Sequence, residues 1–353
     1  MDPPPGAGGP FFIFAAGQKA VAAHAICVAG GAALLPRCMQ SSEGTMQDDT
    51  GISFFGALFN GLIWLVQNIA GAFYNFGYAV THPQLWLDWS DKTSIMRFVY
   101  YGGSVEFFFV VFTLFLILTG VGLYRRQFMW GMVRGLEGFA NGIGRFFAWA
   151  GLIMVIQQII IVFMQRIFAR PDMSFGLGIA LEKDISWFAE ELKLYNALVV
   201  CMCVTYTFVQ GGHVRVDLIY SGISFRAKRV VDMVGSLIFM MPAAVLTWMY
   251  GWFFLWRHLI VPKPSASDQL DRLIMKARAL RWNVETIGFS PNGFNGYFLF
   301  KILLVTFAGI VFVHAAAFFY RSLLEFIEGQ GSENKYLDKD TLGEGEEAYE
   351  GAH

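Results

Sequence analysis

Charge is what this sequence has least of: 15% of its 353 residues are Asp, Glu, Lys or Arg, against about 25% in water-soluble chains. So little charge cannot cover a chain that is 56% apolar, which excludes a soluble globule and sends most of it into lipid. The signs nearly cancel, at a net charge of −1, so there is no basic field for nucleic acid. Cysteine is scarce as well. Cys27, Cys38, Cys201 and Cys203 lack the spacing of a zinc site, and the last two fall inside an apolar run, where Cys packs as a small hydrophobe. Histidine is too sparse for a membrane haem, which takes opposed histidines within helices. Only His314 lies well inside an apolar run, whereas His213 and His258 stand at run ends and His82 in a loop. There is no phosphate loop, nucleophile elbow or zinc-protease pair, so neither an enzyme activity nor a cofactor is expected.

What the chain does have is aromatic and aliphatic bulk, with 36 Phe and 10 Trp, a composition suited to helices that touch acyl chains and end among headgroups. Crossing the hydrocarbon as a helix takes about 20 mostly apolar residues. Charge-free runs of that kind lie between Glu106 and Arg125, Arg145 and Arg166, Lys193 and His213, Asp232 and Arg257, and Lys301 and Arg321. A further run, Phe54 to Val80, interleaves Asn60, Gln67, Asn68 and Asn75 with glycines, a pattern that suits a span packed against other helices, the favoured reading, or a helix lying in the interface. The expected fold is an all-α, multi-pass transmembrane helical bundle. It has four core spans near 146–165, 194–212, 233–256 and 302–320, and one or two extra N-terminal spans near 54–80 and 98–124. Glu106 is expected at headgroup level.

Residues 1–45 make a poor signal peptide, because Ala20 to Pro36 is only weakly apolar and is broken by His24. The polar lead Gln47, Asp48, Asp49, Thr50 makes Met46 the expected natural start. The divisions that follow are a leader (1–45), an N-terminal extension (46–143), a four-helix membrane domain (144–325) and an acidic tail (326–353) expected to be disordered. Basic residues cluster before Phe146 and at Arg215, Arg226, Lys228 and Arg229, which assigns these loops to the cytoplasmic side. The Arg166 to Lys193 and Pro262 to Gly296 loops then lie outside. In the second, Leu270, Leu273, Ile274, Ala277 and Leu280 recur at helical spacing. Such an amphipathic helix lies on the membrane, under a partner, or over the chain's own end.

Polar residues concentrate around the central hairpin. Arg166 ends one span, and Trp187, Glu190 and Glu191 precede the next. Adjacent carboxylates at a membrane boundary need solvent or a partner, and Arg166 is the candidate, with Trp187 as a headgroup anchor. At the far end of that second span comes Gly211, Gly212, His213, Val214, Arg215, Val216, Asp217, Leu218. The glycines allow the helix to stop. Beyond them, His213, Arg215 and Asp217 share one face if the chain is extended, and His213 and Asp217 lie one turn apart if it is helical. Taken alone, this is a basic loop that sets topology.

The ordered set Gln165, Arg166, Trp187, Glu190, Glu191, then Gly212 to Asp217, then Arg226, Lys228, Arg229 and Asp232 resembles the small permease subunit of TRAP transporters, the DctQ-type family. The likeness spans about residues 144–325. It implies a four-helix subunit of a bacterial inner membrane, docked beside a large permease subunit, with a periplasmic substrate-binding protein delivering a carboxylate for ion-driven uptake, the ion expected to be sodium. The small subunit is then a scaffold, and Arg166, Trp187, Glu190, Glu191, Gly212, His213, Arg215 and Asp217 are packing and interface residues rather than catalytic ones. The long front section departs from that family's compact size. Two other classes compete: a self-sufficient carrier or channel, which calls for paired intramembrane charges or broken helices in two matching halves, and a haem-bearing anchor of an oxidoreductase, which calls for opposed histidines.

Overall fold

The computed structural model describes residues 54–175, 181–210, 222–285, 293–333 and 335–338. The chain divides into two units, Met1–Leu62 and Ile63–His353. What is described of the first is the opening of one helix, α1 (Phe54–Thr81). The second holds the rest of α1 and then α2 (Gln84–Leu87), α3 (Lys92–Gly102), α4 (Val105–Tyr124), α5 (Arg126–Arg166), α6 (Ile185–Gln210), α7 (Phe225–Val234), α8 (Met241–Leu259), α9 (Leu270–Ala277) and α10 (Phe298–Glu328). Two antiparallel strand pairs, β1 (Asp172–Phe175) with β2 (Leu181–Asp184) and β3 (Ile260–Val261) with β4 (Arg281–Trp282), lie between helices.

Among the described residues, six helical stretches are long and apolar enough to cross a membrane: Gly56–Thr81, Val105–Tyr124, Arg126–Arg166, Ile185–Gln210, Phe225–Leu259 and Phe298–Glu328. The chain is an all-α multi-pass membrane protein, and both front stretches qualify as spans. Their limits differ from the charge-free runs for identifiable reasons. The run expected from residue 98 is broken at Gly103, where Ser104 caps α4 by accepting the Phe107 N–H at 3.2 Å. Helix α5 runs unbroken for 41 residues, about 61 Å at 1.5 Å per residue, so the expected division at 143/144 falls in mid-helix. Its first half carries Arg134, Glu137, Asn141 and Arg145, which a search for charge-free runs discards. Between α7 and α8 the chain forms a π-helical turn, Gly235–Met240, just before Pro242. Proline has no N–H to give and crowds the preceding turn, and the wider π turn absorbs the mismatch without ending the helix.

Neighbouring spans pair as antiparallel hairpins. In α5 and α6, Gly144 lies against Tyr206, and Gln157 reaches the Phe188 carbonyl at 3.2 Å. In α8 and α10, Gly251 lies against Val305 and Gly309 beneath Trp248. At the Leu259 end of α8 a cap of short elements covers the bundle. Ile95, Met96 and Val99 of α3 pack with Trp252 and Trp256 of α8 and with Leu273. Trp248 and Trp252 donate their indole N–H groups to the Gly102 and Val99 carbonyls, each at 2.8 Å. A Cβ at Gly102 would overlap the Trp252 indole, so glycine here permits the close approach. Leu273, Ala277 and Leu280 are buried in this cap, so the amphipathic stretch covers the chain's own end. Glu106 sits in the first turn of α4, half-exposed. The phenol of nearby Tyr100 is pushed up to about 12, first by burial and then by the Glu106 charge.

Candidate functional site

The most concentrated chemistry lies at the opposite end, where the charge-free runs of α5 and α10 stop. On α5, residues Trp130, Val133, Glu137 and Asn141 recur every three or four positions and are all buried, forming one stripe. It faces the last turns of α10, where Tyr320 and Leu324 pack on Met129, Trp130 and Val133. Amid this apolar contact Arg321 donates to Glu137 through both prongs of its guanidinium, Nε to Oε1 and Nη2 to Oε2, each at 2.5 Å. Glu137 is 4% exposed, Arg321 7% and Glu325 2%. Two-pronged geometry is the strongest a carboxylate and guanidinium can adopt. At this depth it is what offsets the desolvation of both ions.

The lattice continues across helices. Arg321 Nη1 lies 3.5 Å from Glu325 Oε1 one turn on, and Glu325 Oε2 contacts Arg229 Nε of α7 at 2.8 Å. Arg229 also reaches Asp232 at 3.3 Å and Glu333 at 3.1 Å, with its guanidinium over the Phe225 ring. Three helices, α5, α7 and α10, are thereby cross-linked by two arginines and their carboxylates.

The segment after α10 closes this end. In the tail expected to be disordered from residue 326, the described residues begin with helix and turn: α10 runs to Glu328, and Gln330–Ser332 makes a 3-10 turn. Asn141 donates to the Asp338 carbonyl at 2.8 Å and to its carboxylate at 2.9 Å, Gln210 donates to the same carbonyl at 3.0 Å, and Arg145 pairs with the carboxylate at 3.4 Å. The Lys335 carbonyl accepts from Arg321 at 3.1 Å, and the Trp130 indole donates to Glu328 at 2.9 Å. Polar contacts of this kind replace the burial that the segment's composition cannot supply.

The residues singled out from sequence divide into two sets. Gly212, His213, Arg215 and Asp217 lie outside the described residues. Arg166 is exposed at the end of α5 and makes no ion pair among the described residues, so the expected pairing with Glu190 and Glu191 does not form. Gln157 stands in its place, reaching Glu191 at 3.1 Å, and Tyr195 donates to the same carboxylate at 3.1 Å. The reason is register: α5 continues past the start of α6, which leaves Gln157 rather than Arg166 opposite the first turns. Glu190 accepts the Phe294 N–H at 2.8 Å, which ties α6 to the loop before α10. Trp187 is half-buried, edge-on to Phe188 and Phe294, and so joins the interior of this corner.

Sequence reasoning passed over Glu137, Arg321 and Glu325 as a set. Arg321 and Glu325 are spaced for a helical pair, and Glu137 with Asn141 continues an apolar stripe, so a signal existed in their spacing. His314 is buried against Phe208. No family model matches the chain, and no curated protein or solved structure matches it either. The family resemblance rests on the sequence motif alone.

Proposed function

We propose that this chain is the small, membrane-embedded scaffold subunit of a tripartite TRAP-type uptake system in a bacterial inner membrane. It acts with a large permease subunit and a periplasmic binding protein, and a sodium gradient drives import of a carboxylate. The observation that favours a scaffold is the use made of buried charge. Glu137, Arg321, Glu325 and Arg229 lie in ion-pair contact with one another across three helices, an arrangement that holds helix ends in register. A transport site needs charge that is free to change partners. The outer flank of α5 adds a broad apolar face, with Trp149, Ile153, Ile156 and Phe163 exposed, on which lipid or a larger membrane subunit can lie. The family is proposed on the resemblance carried by the ordered residues from Gln165 to Asp232.

The test is reconstitution. Vesicles containing this chain together with its large membrane partner and binding protein take up a carboxylate when a sodium gradient is imposed, and omission of this chain abolishes uptake. Uptake by vesicles that contain this chain alone would refute the scaffold reading and favour a self-sufficient carrier.

A further inference from the structure

Where α8 ends and α10 begins, Phe254, Glu285, Tyr297, Phe300, Lys301 and Leu304 line a cleft of about 460 Å³, within the size range of small-molecule sites. Its walls change character with depth. Phe254 and Leu304 belong to membrane-crossing helices and are exposed along them, whereas Lys301, Glu285 and Tyr297 stand at the mouth, level with the helix ends. A cleft graded from apolar flank to charged mouth at the edge of the hydrocarbon matches the profile of a lipid molecule, acyl carbons below and headgroup above.

The charges at the mouth point further. Lys301 holds its ammonium over the Phe254 ring, 4.8 Å from the centroid, and has no ion-pair partner among the described residues. A half-buried ammonium at a helix start suits a phosphate. Glu285 is fixed twice to the end of α8: its N–H donates to the His258 carbonyl at 3.0 Å, and its carboxylate contacts His258 Nδ1. This hydrogen bond holds the carboxyl below its ordinary value, so at neutral pH it is an anion with lone pairs to spare. The mouth thus offers the Lys301 ammonium and the oriented Glu285 carboxylate, which attract each other across the cleft without a direct ion pair, with the charge of Lys263 acting on both.

We propose that this cleft binds one phospholipid with a primary-amine headgroup, of the phosphatidylethanolamine class, its phosphate on Lys301 and its ammonium on Glu285. A phosphatidylglycerol headgroup would satisfy Lys301 but offer Glu285 only neutral hydroxyls, whose hydrogen bonds lack the charge of an ammonium. A quaternary choline has no N–H to give the carboxylate. The site is independent of the scaffold assignment.

Native mass spectrometry of the full-length protein, after delipidation and add-back of phosphatidylethanolamine, phosphatidylglycerol or phosphatidylcholine, tests it. The wild type retains one phosphatidylethanolamine in preference to the others by about tenfold, the effect of one charge-assisted contact. Lys301→Met lowers retention of all three, while Glu285→Gln erases the preference for the ethanolamine lipid and leaves phosphatidylglycerol retention unchanged or raised. Glycerophosphoethanolamine, which has the headgroup without chains, competes weakly. Equal competition by inorganic phosphate would mean a simple anion site and overturn the proposal. So would equal retention of the three lipids, or a preference unchanged by Glu285→Gln in protein whose circular dichroism and unfolding match the wild type.

Discussion

Replacing Glu137 by Ala removes both acceptors from the Arg321 guanidinium and leaves a buried cation facing a small void. Breaking a buried ion pair from one side costs about 3–5 kcal/mol, because the surviving ion keeps its desolvation penalty without its partner. Two contacts remain to Arg321, Glu325 at 3.5 Å and the Lys335 carbonyl at 3.1 Å, which places the expected loss at the low end, about 3 kcal/mol. The assay is equilibrium unfolding in mixed micelles, followed by circular dichroism. The double variant Glu137→Leu/Arg321→Met exchanges both ions for apolar groups of similar length. It is expected to lose less than the sum of the single variants by about 2 kcal/mol, a coupling typical of groups in direct contact. If Glu137→Ala unfolds within about 0.5 kcal/mol of wild type, as a surface substitution would, or if the single losses add, the lattice does not hold this end together and the reasoning fails.

Deleting residues 329–353 takes away the Asp338 acceptors of buried Asn141 and is expected to cost about 1–3 kcal/mol in the same assay; unchanged stability would show that the segment does not brace the bundle. Gly102→Ala drives a Cβ into the Trp252 indole and is expected to cost about 1–3 kcal/mol as overpacking, with a shift in tryptophan emission. Gly120→Ala, where a Cβ meets nothing within 4 Å, should be neutral or stabilising and serves as the control. Glu285 has a lower pKa folded than unfolded because His258 hydrogen-bonds its carboxylate. Its contribution is therefore complete above its ordinary value of 4.5 and fades as the pH falls through the lower folded value. Emission of Trp282 on adjoining β4 should report a transition below that pH, absent in Glu285→Gln.

The spans were legible because lipid imposes a coarse rule, that about 20 apolar residues in a row must hydrogen-bond internally. The same rule concealed the ion lattice. Arg321 looks like the polar stop of a run that begins after Lys301, and Glu137 falls in a glycine-rich stretch that reads as a loop. Only the fold shows that two residues separated by 184 positions complete each other. Arg166 failed as a partner for a related reason: sequence gives the order of the α5 and α6 ends but not the offset between them, and an overshoot of α5 puts Gln157 opposite Glu191. The Leu270 to Leu280 stripe was recognised as amphipathic, yet its spacing is the same whether it covers lipid, a partner or Ile95 and Val99 of its own chain.

The separation of Glu137 from Arg321 also sets a schedule for biogenesis. At about 5–20 residues per second of synthesis, the 184 residues between them take roughly 10–40 s. Throughout that interval Glu137 is present without its arginine. The lattice is sealed only when α10 arrives and the segment through Asp338 leaves the ribosome, so this corner is the last to set. A chain stalled before Arg321 therefore carries the Glu137 carboxylate without its guanidinium partner.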